Sequence, residues 1–168
     1  MTGRVLEVKS DLYGSRLGAT AVEVVDIDPS NLRASVVGDL CDPAILEPRR
    51  YDGAVVTQTL QLLDDPGQAV RNLLASLRPG GALLLTVPCL SRLVDSSDRW
   101  RWTPVGFRQL LEAAAPPGAA LDLCGLGNGL AGRAFLFGLA VEDLRPAALK
   151  VQDDNHPLVV GACVRLPN

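Results

Sequence analysis

Three carboxylates stand at or just beyond the ends of short, β-branched apolar runs. They are Glu7 in Val5-Leu6-Glu7-Val8, Asp26 in Val25-Asp26-Ile27-Asp28-Pro29, and Asp39 in Val37-Gly38-Asp39-Leu40. An ionised carboxylate only accepts hydrogen bonds, and one such group can receive two O–H donors at once. The polar run Thr57-Gln58-Thr59 follows a fourth apolar segment. Each Asp also has a plainer use, because an Asp ending a strand often caps a helix or forms a turn. A second cluster, Arg99-Trp100-Arg101-Trp102, is the densest aromatic and cationic patch in a chain with 4% aromatic residues. Its rings can stack a substrate while Arg99 or Arg101 holds an anionic group, or the two tryptophans can cover a sheet edge or an oligomer interface.

Other motifs carry less chemistry. Gly127-Asn128-Gly129-Leu130-Ala131-Gly132 matches G-x-G-x-x-G, but Glu142 and Asp143 fall in helix-like sequence where a dinucleotide fingerprint needs an acidic strand end. Close packing of a following helix is the simpler use of those glycines. The single histidine, His156, sits in a turn with Asp153 and Asp154, so a surface position or an acid–base pair are both open. Cys41, Cys89, Cys124 and Cys163 are far apart and form no C-x-x-C, and the pattern predicts buried free thiols. There is no metal-ligand cluster and no Ser-His-Asp order.

The elements that must position these groups alternate. Arg4–Val8, Ala21–Ile27, Ala34–Val37, Tyr51–Thr57 and Ala82–Val87 read as strands buried on both faces, as in a parallel sheet. Pro66–Leu77 places Val70, Leu73, Leu74 and Leu77 at helical spacing, with Asp64 and Asp65 available as caps. A second helix runs from Thr103-Pro104 to Ala114, with Phe107, Leu110 and Leu111 on one face. Leu121–Leu123 is a sixth strand, Leu130–Leu139 and Val141–Leu149 are helices, and Leu158–Leu166 is a last strand. About a dozen residues join the first two strands, near the minimum for a parallel crossover, so only a turn or two of helix fits there. The expected fold is a doubly wound, mostly parallel α/β sheet in a single domain spanning residues 1–168. In such sheets a ligand binds at the carboxyl ends of the strands, where their order reverses.

At 17.8 kDa, with 16 basic and 19 acidic side chains and a net charge of -3, the chain has no basic block. Nucleic acid and anionic membrane are therefore unexpected partners, and small molecules or other proteins, including a second copy, are expected ones. The N-terminus enters a strand directly and no apolar stretch reaches about 18 residues, which predicts a cytoplasmic protein.

Tyr51-Asp52, the helix after it, and Arg78-Pro79-Gly80-Gly81 resemble the F/Y-D strand opening and the K/R-P-G-G turn of class I S-adenosylmethionine-dependent methyltransferases. The likeness spans nearly the whole chain and is strongest from Asp52 to Pro88. It extends to the type 11-like members associated with glycan and natural-product biosynthesis. These share a tyrosine-containing, glycine-poor first loop, T-Q-T-L after strand four, a W-R-x-T segment like Trp100–Thr103, and a glycine-led stretch like Gly127–Ala140.

The resemblance implies a seven-stranded Rossmann-like sheet and S-adenosylmethionine as cofactor, held by Glu7, Tyr13, Asp26, Asp39, Leu40, Thr57 and Gln58. In it, Asp26 takes the ribose hydroxyls, Asp39 the adenine amino group, and Arg99, Trp100, Arg101 and Trp102 line the acceptor side. It implies methyl transfer to a small molecule such as a sugar or a natural-product hydroxyl or amine. The chain departs from the family where V-L-E-V is followed by Lys9, Asp11 and Tyr13 in place of glycines, and where it begins at strand one without the usual N-terminal helical segment. Because fold does not dictate function, a non-methylating partner subunit or binding module, and an enzyme repurposed to another reaction, stand beside the methyltransferase reading.

Overall fold

The computed structural model describes residues 2–168. Seven strands form one sheet: β1 (Arg4–Val8), β2 (Ala21–Asp26), β3 (Val36–Val37), β4 (Tyr51–Thr57), β5 (Leu77–Pro88), β6 (Ala120–Leu126) and β7 (Val159–Arg165). Their order is β3-β2-β1-β4-β5-β7-β6, with β1 to β5 parallel and β7 antiparallel to both neighbours. This is the mixed, Rossmann-like sheet of class I methyltransferases. The order reverses between β1 and β4, which sets the ligand position at their carboxyl ends.

Side chains alternate across each strand, so one face collects Leu6, Ala54, Val56, Leu83, Leu85 and Val160. Helices α1 (Pro66–Ser76) and α2 (Pro104–Ala114) pack on each other and on this face, adding Val70, Leu73, Leu74, Phe107 and Leu111 to one core. Both helices start on the expected signals. Asp65 accepts from the Gln68 amide at 2.8 Å and Thr103 from the Gly106 amide at 3.2 Å, each followed by a proline whose missing N–H costs nothing there. Helices α3 (Gly129–Leu136) and α4 (Pro146–Leu149) lie beyond β6. Among the described residues, no helix is long and apolar enough to cross a membrane.

Several boundaries differ from the sequence expectation. β5 begins at Leu77, because Tyr51 pairs with Leu77 and Gly53 with Ala82, leaving Arg78-Pro79-Gly80-Gly81 looped out within the strand. Gly80 has φ +72°, and a Cβ on Gly81 would meet the Arg78 carbonyl oxygen at 2.8 Å, so both turn positions require glycine. The β6 edge is longer than expected, covering Ala120–Leu126. The helix expected over Val141–Leu149 splits into a 3-10 turn, Val141–Asp143, and α4, because Pro146 disfavours helical backbone at Arg145.

The amino ends of the central strands are tied by Asp52. Its carboxylate accepts from the Arg4 amide at 2.7 Å and from the Arg78 guanidinium at 2.8 Å, and these bonds, the amide first, hold it below the ordinary aspartate range. Phe107 is fully buried between α2 and the sheet, with Trp102 at 5.7 Å between ring centroids. Phe107→Ala is expected to lower stability by about 3–5 kcal/mol, read as a shift in the urea midpoint at unchanged slope.

Candidate functional site

A cavity of about 420 Å³ opens at the carboxyl ends of β1 to β4. It is lined by Lys9 and Ser10 after β1, Asp26 and Ile27 at the end of β2, Gly38, Asp39 and Leu40 after β3, and Thr57, Gln58 and Thr59 at β4. Of the predicted cofactor residues, Asp26, Asp39, Leu40, Thr57 and Gln58 thus meet in one place. Lys9, Ser10, Thr59, Leu62, Leu63 and Ser97 join them. The first three could have been found from their positions directly beside strand ends. Ser97 comes from a distant segment with no local signal.

The carboxylates keep capacity for a ligand. Asp26 is 8% exposed; its Oδ1 accepts from the Asp28 amide at 3.1 Å and its Oδ2 from Asn31 Nδ2 at 2.7 Å. Each carboxylate oxygen has two lone pairs, so one acceptor position is left on each. Asp39 Oδ1 accepts from the Cys41 amide at 2.8 Å, and the Cys41 thiol also bonds to this carboxylate, which leaves acceptor positions of its two oxygens open. These acceptors fit a molecule presenting paired hydroxyls near β2 and an N–H near β3. Among the described residues three non-glycine residues lie in the left-handed region, and two of them, Lys9 (φ +69°) and Gln58 (φ +49°), border this cavity.

Glu7 and Tyr13 lie elsewhere. The Glu7 carboxylate is buried and accepts from the amides of Tyr13, at 3.0 Å, and Gly14. It pins the 9–20 segment to the sheet. Tyr13, Arg16 and Leu17 form one wall of a second, apolar groove of about 480 Å³ on the opposite sheet face from α1 and α2. Its floor includes Leu84, Thr86, Gly161, Cys163 and Cys124, and Thr57 borders both spaces. The four cysteines are free, but none is fully buried; Cys124, on the edge strand β6, is exposed to the apolar groove.

The Arg99–Trp102 segment is bound up in its own contacts and does not line either space. Arg99 pairs with Asp64 at 2.6 Å, Trp100 Nε1 donates to the Leu63 carbonyl at 2.9 Å, and Trp102 is buried against Phe107. Arg101 grips the buried Asp98 carboxylate with two nitrogens, at 2.5 and 2.9 Å. His156 is exposed in its turn, with Nδ1 2.9 Å from Asp153 Oδ2. Asn128 caps α3 through the Ala131 amide at 2.8 Å, so the G-x-G-x-x-G run serves as a helix start. Among the described residues no group of His, Cys, Asp and Glu could hold a metal ion.

The strand order β3-β2-β1-β4-β5-β7-β6, with β7 antiparallel between β5 and β6, is that of a class I methyltransferase fold. Residues 8–121 match the family described as methyltransferase domain, and the chain belongs to that family. No curated protein matches the sequence. Among solved structures, the chain is similar to a Haloferax volcanii complex of the Trm112 methyltransferase activator with its proposed methyltransferase, at 16% identity and TM-score 0.66, covering 98% of this chain and 83% of that one. It is also similar to Haemonchus contortus phosphoethanolamine N-methyltransferase 2 bound to S-adenosyl-L-methionine, at 14% identity and TM-score 0.63, covering 99% and 49%. A third is the [4+2]-cyclase SpnF, at 20% identity and TM-score 0.61, covering 98% and 75%. At such identities the likeness is one of fold.

The Asp98–Arg101 clamp generates a pH dependence. The Arg101 bonds, opposed by burial, hold Asp98 below its ordinary value of 3.8. A depressed carboxylate contributes stability that is fully present above the unfolded value and lost as pH falls through the folded one. Asp98→Asn is therefore expected to be less stable than wild type at pH 7, with the gap in urea midpoint narrowing at pH 3. A gap of equal size at both pH values would show that charge on Asp98 is immaterial.

Proposed function

We propose that the protein is an S-adenosylmethionine-dependent methyltransferase acting on a small molecule. The observation that carries this reading is the meeting, at the reversal of strand order, of two carboxylates with spare acceptor capacity and a cavity of about 420 Å³, within the usual range for small-molecule sites. Asp26 would take the ribose hydroxyls and Asp39 the adenine amino group, while Leu40 and the main chain of Thr57-Gln58-Thr59 would enclose the adenosine. The bound cofactor supplies an electrophilic methyl group. The protein's part is to hold a nucleophile in line with it, because placing two reacting groups within about 3–3.5 Å can supply most of the acceleration.

The groove that shares Thr57 with the cavity supports a particular kind of acceptor. Its floor of Leu84, Gly161, Cys163 and Cys124 offers apolar contact and few hydrogen bonds, which suits a natural-product intermediate with an apolar body better than a free sugar. A second reading is a methyltransferase-fold subunit that binds without methylating. It is favoured by the same uncovered half-face, which a protein partner could also cover, as partnership with an activator is seen for the Haloferax volcanii neighbour.

Calorimetric titration with S-adenosylhomocysteine tests the first reading, with measurable binding expected. Asp26→Ala should weaken that binding by about 1–3 kcal/mol, the range for hydrogen bonds to a charged group. No heat and no thermal shift at millimolar ligand would sink the methyltransferase reading in favour of the second.

A further inference from the structure

We infer that Lys9 recognises the anionic, amino-acid end of the ligand in the cavity between β1 and β4, an inference that rests on the cofactor reading above. Lys9 is the one cationic residue among those bordering this cavity, whose other charged members are Asp26 and Asp39. The three are spread along the sheet edge in strand order: Asp39 after β3, Asp26 at β2, Lys9 after β1. A ligand lying along that edge with hydroxyl and amino donors over β2 and β3 therefore brings its other end over β1 and β4, where the cation stands. Nucleosides joined to an amino acid have this layout, with donors at one end and a carboxylate at the other.

The Lys9 ammonium is available for this. It makes no ion pair or side-chain hydrogen bond among the described residues, and it attracts the exposed Asp28 carboxylate from a distance. The nearby Arg33 is already committed to Asp11 at 2.6 Å. The backbone of Lys9 is fixed on both sides: its amide donates to the Val25 carbonyl at 2.9 Å, and its own carbonyl accepts from Asn31 Nδ2 at 2.9 Å. Those bonds hold it at φ +69°, a conformation that glycine adopts freely and lysine does not. A strained side-chain-bearing residue at a ligand cavity points to a use for the side chain. Gln58, the other such residue at this cavity, faces it from β4 and is neutral.

Calorimetry on wild type, Lys9→Met, Lys9→Arg and Lys9→Gly with two ligands tests the assignment. S-adenosylhomocysteine carries the amino-acid end; 5′-methylthioadenosine keeps the adenosine and thioether without it. Lys9→Met is expected to weaken S-adenosylhomocysteine roughly tenfold, as for loss of a partly solvated charge-assisted contact, and to leave 5′-methylthioadenosine unchanged. Lys9→Arg should retain most of the affinity. Lys9→Gly should raise the thermal midpoint by relieving the backbone while losing the same tenfold, a trade that a merely structural lysine would not make. Wild-type binding with unchanged affinity in Lys9→Met, or equal losses for both ligands, would overturn the role of Lys9 and leave the cofactor reading standing. Wild-type silence toward both ligands would overturn both.

Discussion

Everything at the carboxyl edge of this sheet depends on how about a dozen residues return the chain from β1 to the parallel strand β2. A crossover that short has no room for a full helix, and the chain makes only a 3-10 turn at Ser15–Leu17. What holds it is a buried carboxylate. Glu7 reaches out of β1 and takes the amides of Tyr13 and Gly14, so the segment lies on the sheet against Val5 and Val22. Gly14 belongs to the same contact: a Cβ there would meet the Glu7 carboxylate at 2.7 Å and Val22 at 2.8 Å. A carboxylate without those two amides would be a charge buried without partners, which is among the costlier faults a core can hold.

The two ends of the strands carry different work. At the amino ends, Asp52 joins Arg4 and Arg78, and Glu23 joins Arg4, Arg50 and the Tyr51 hydroxyl. Burial, with the Glu23 carboxylate beside it, pushes the Tyr51 hydroxyl up to about 12, so it stays a neutral donor under any ordinary condition. These ties join β1 to β2 and β4, join β4 to β5, and reach across β1 from β2 to the start of β4. At the carboxyl ends, the charged groups bordering the cavity hold only turn-forming bonds within a few residues of themselves. Structural ties at one edge leave acceptor capacity at the other.

What could be read in the sequence follows how local each signal is. The unit from Tyr51 to Pro88 was legible because strand, cap, helix and glycine turn are each set by residues within a few positions, and α1 and α2 start where their caps place them. Asp26 and Asp39 were legible as strand ends, and the structure brings both to one cavity. The role of Arg99–Trp102 was not legible, since aromatic and cationic residues look alike whether they wait for a ligand or strap one loop to another. Its long-range partners, Asp64 and the Leu63 carbonyl, have no signal in the local sequence. The uncovered half-face was hidden for a related reason: Leu84, Cys163 and Cys124 read as buried strand residues because the alternation cannot say whether a neighbouring element is present.

The loss of glycines after β1 then takes a physical meaning different from simple decay. In a loop that wraps a ligand, side chains at those positions would fill the space the ligand needs. Here the short crossover, pinned by Glu7, leaves the ligand edge after Ser10: no residue from Asp11 to Gly14 borders the cavity, and Tyr13 lines the groove on the other side instead. Positions 11 and 13 no longer need to be glycine, because they no longer approach that space. Of Lys9, Asp11 and Tyr13 only Lys9 borders the cavity, beside Ser10, and it keeps the left-handed backbone that glycine would otherwise supply. The carboxylates on β2 and β3 are unaffected, since they are placed by their own strands and turns. A shortened crossover that relocates one loop thus accounts together for the kept acids, the missing glycines, the strained lysine and the open groove.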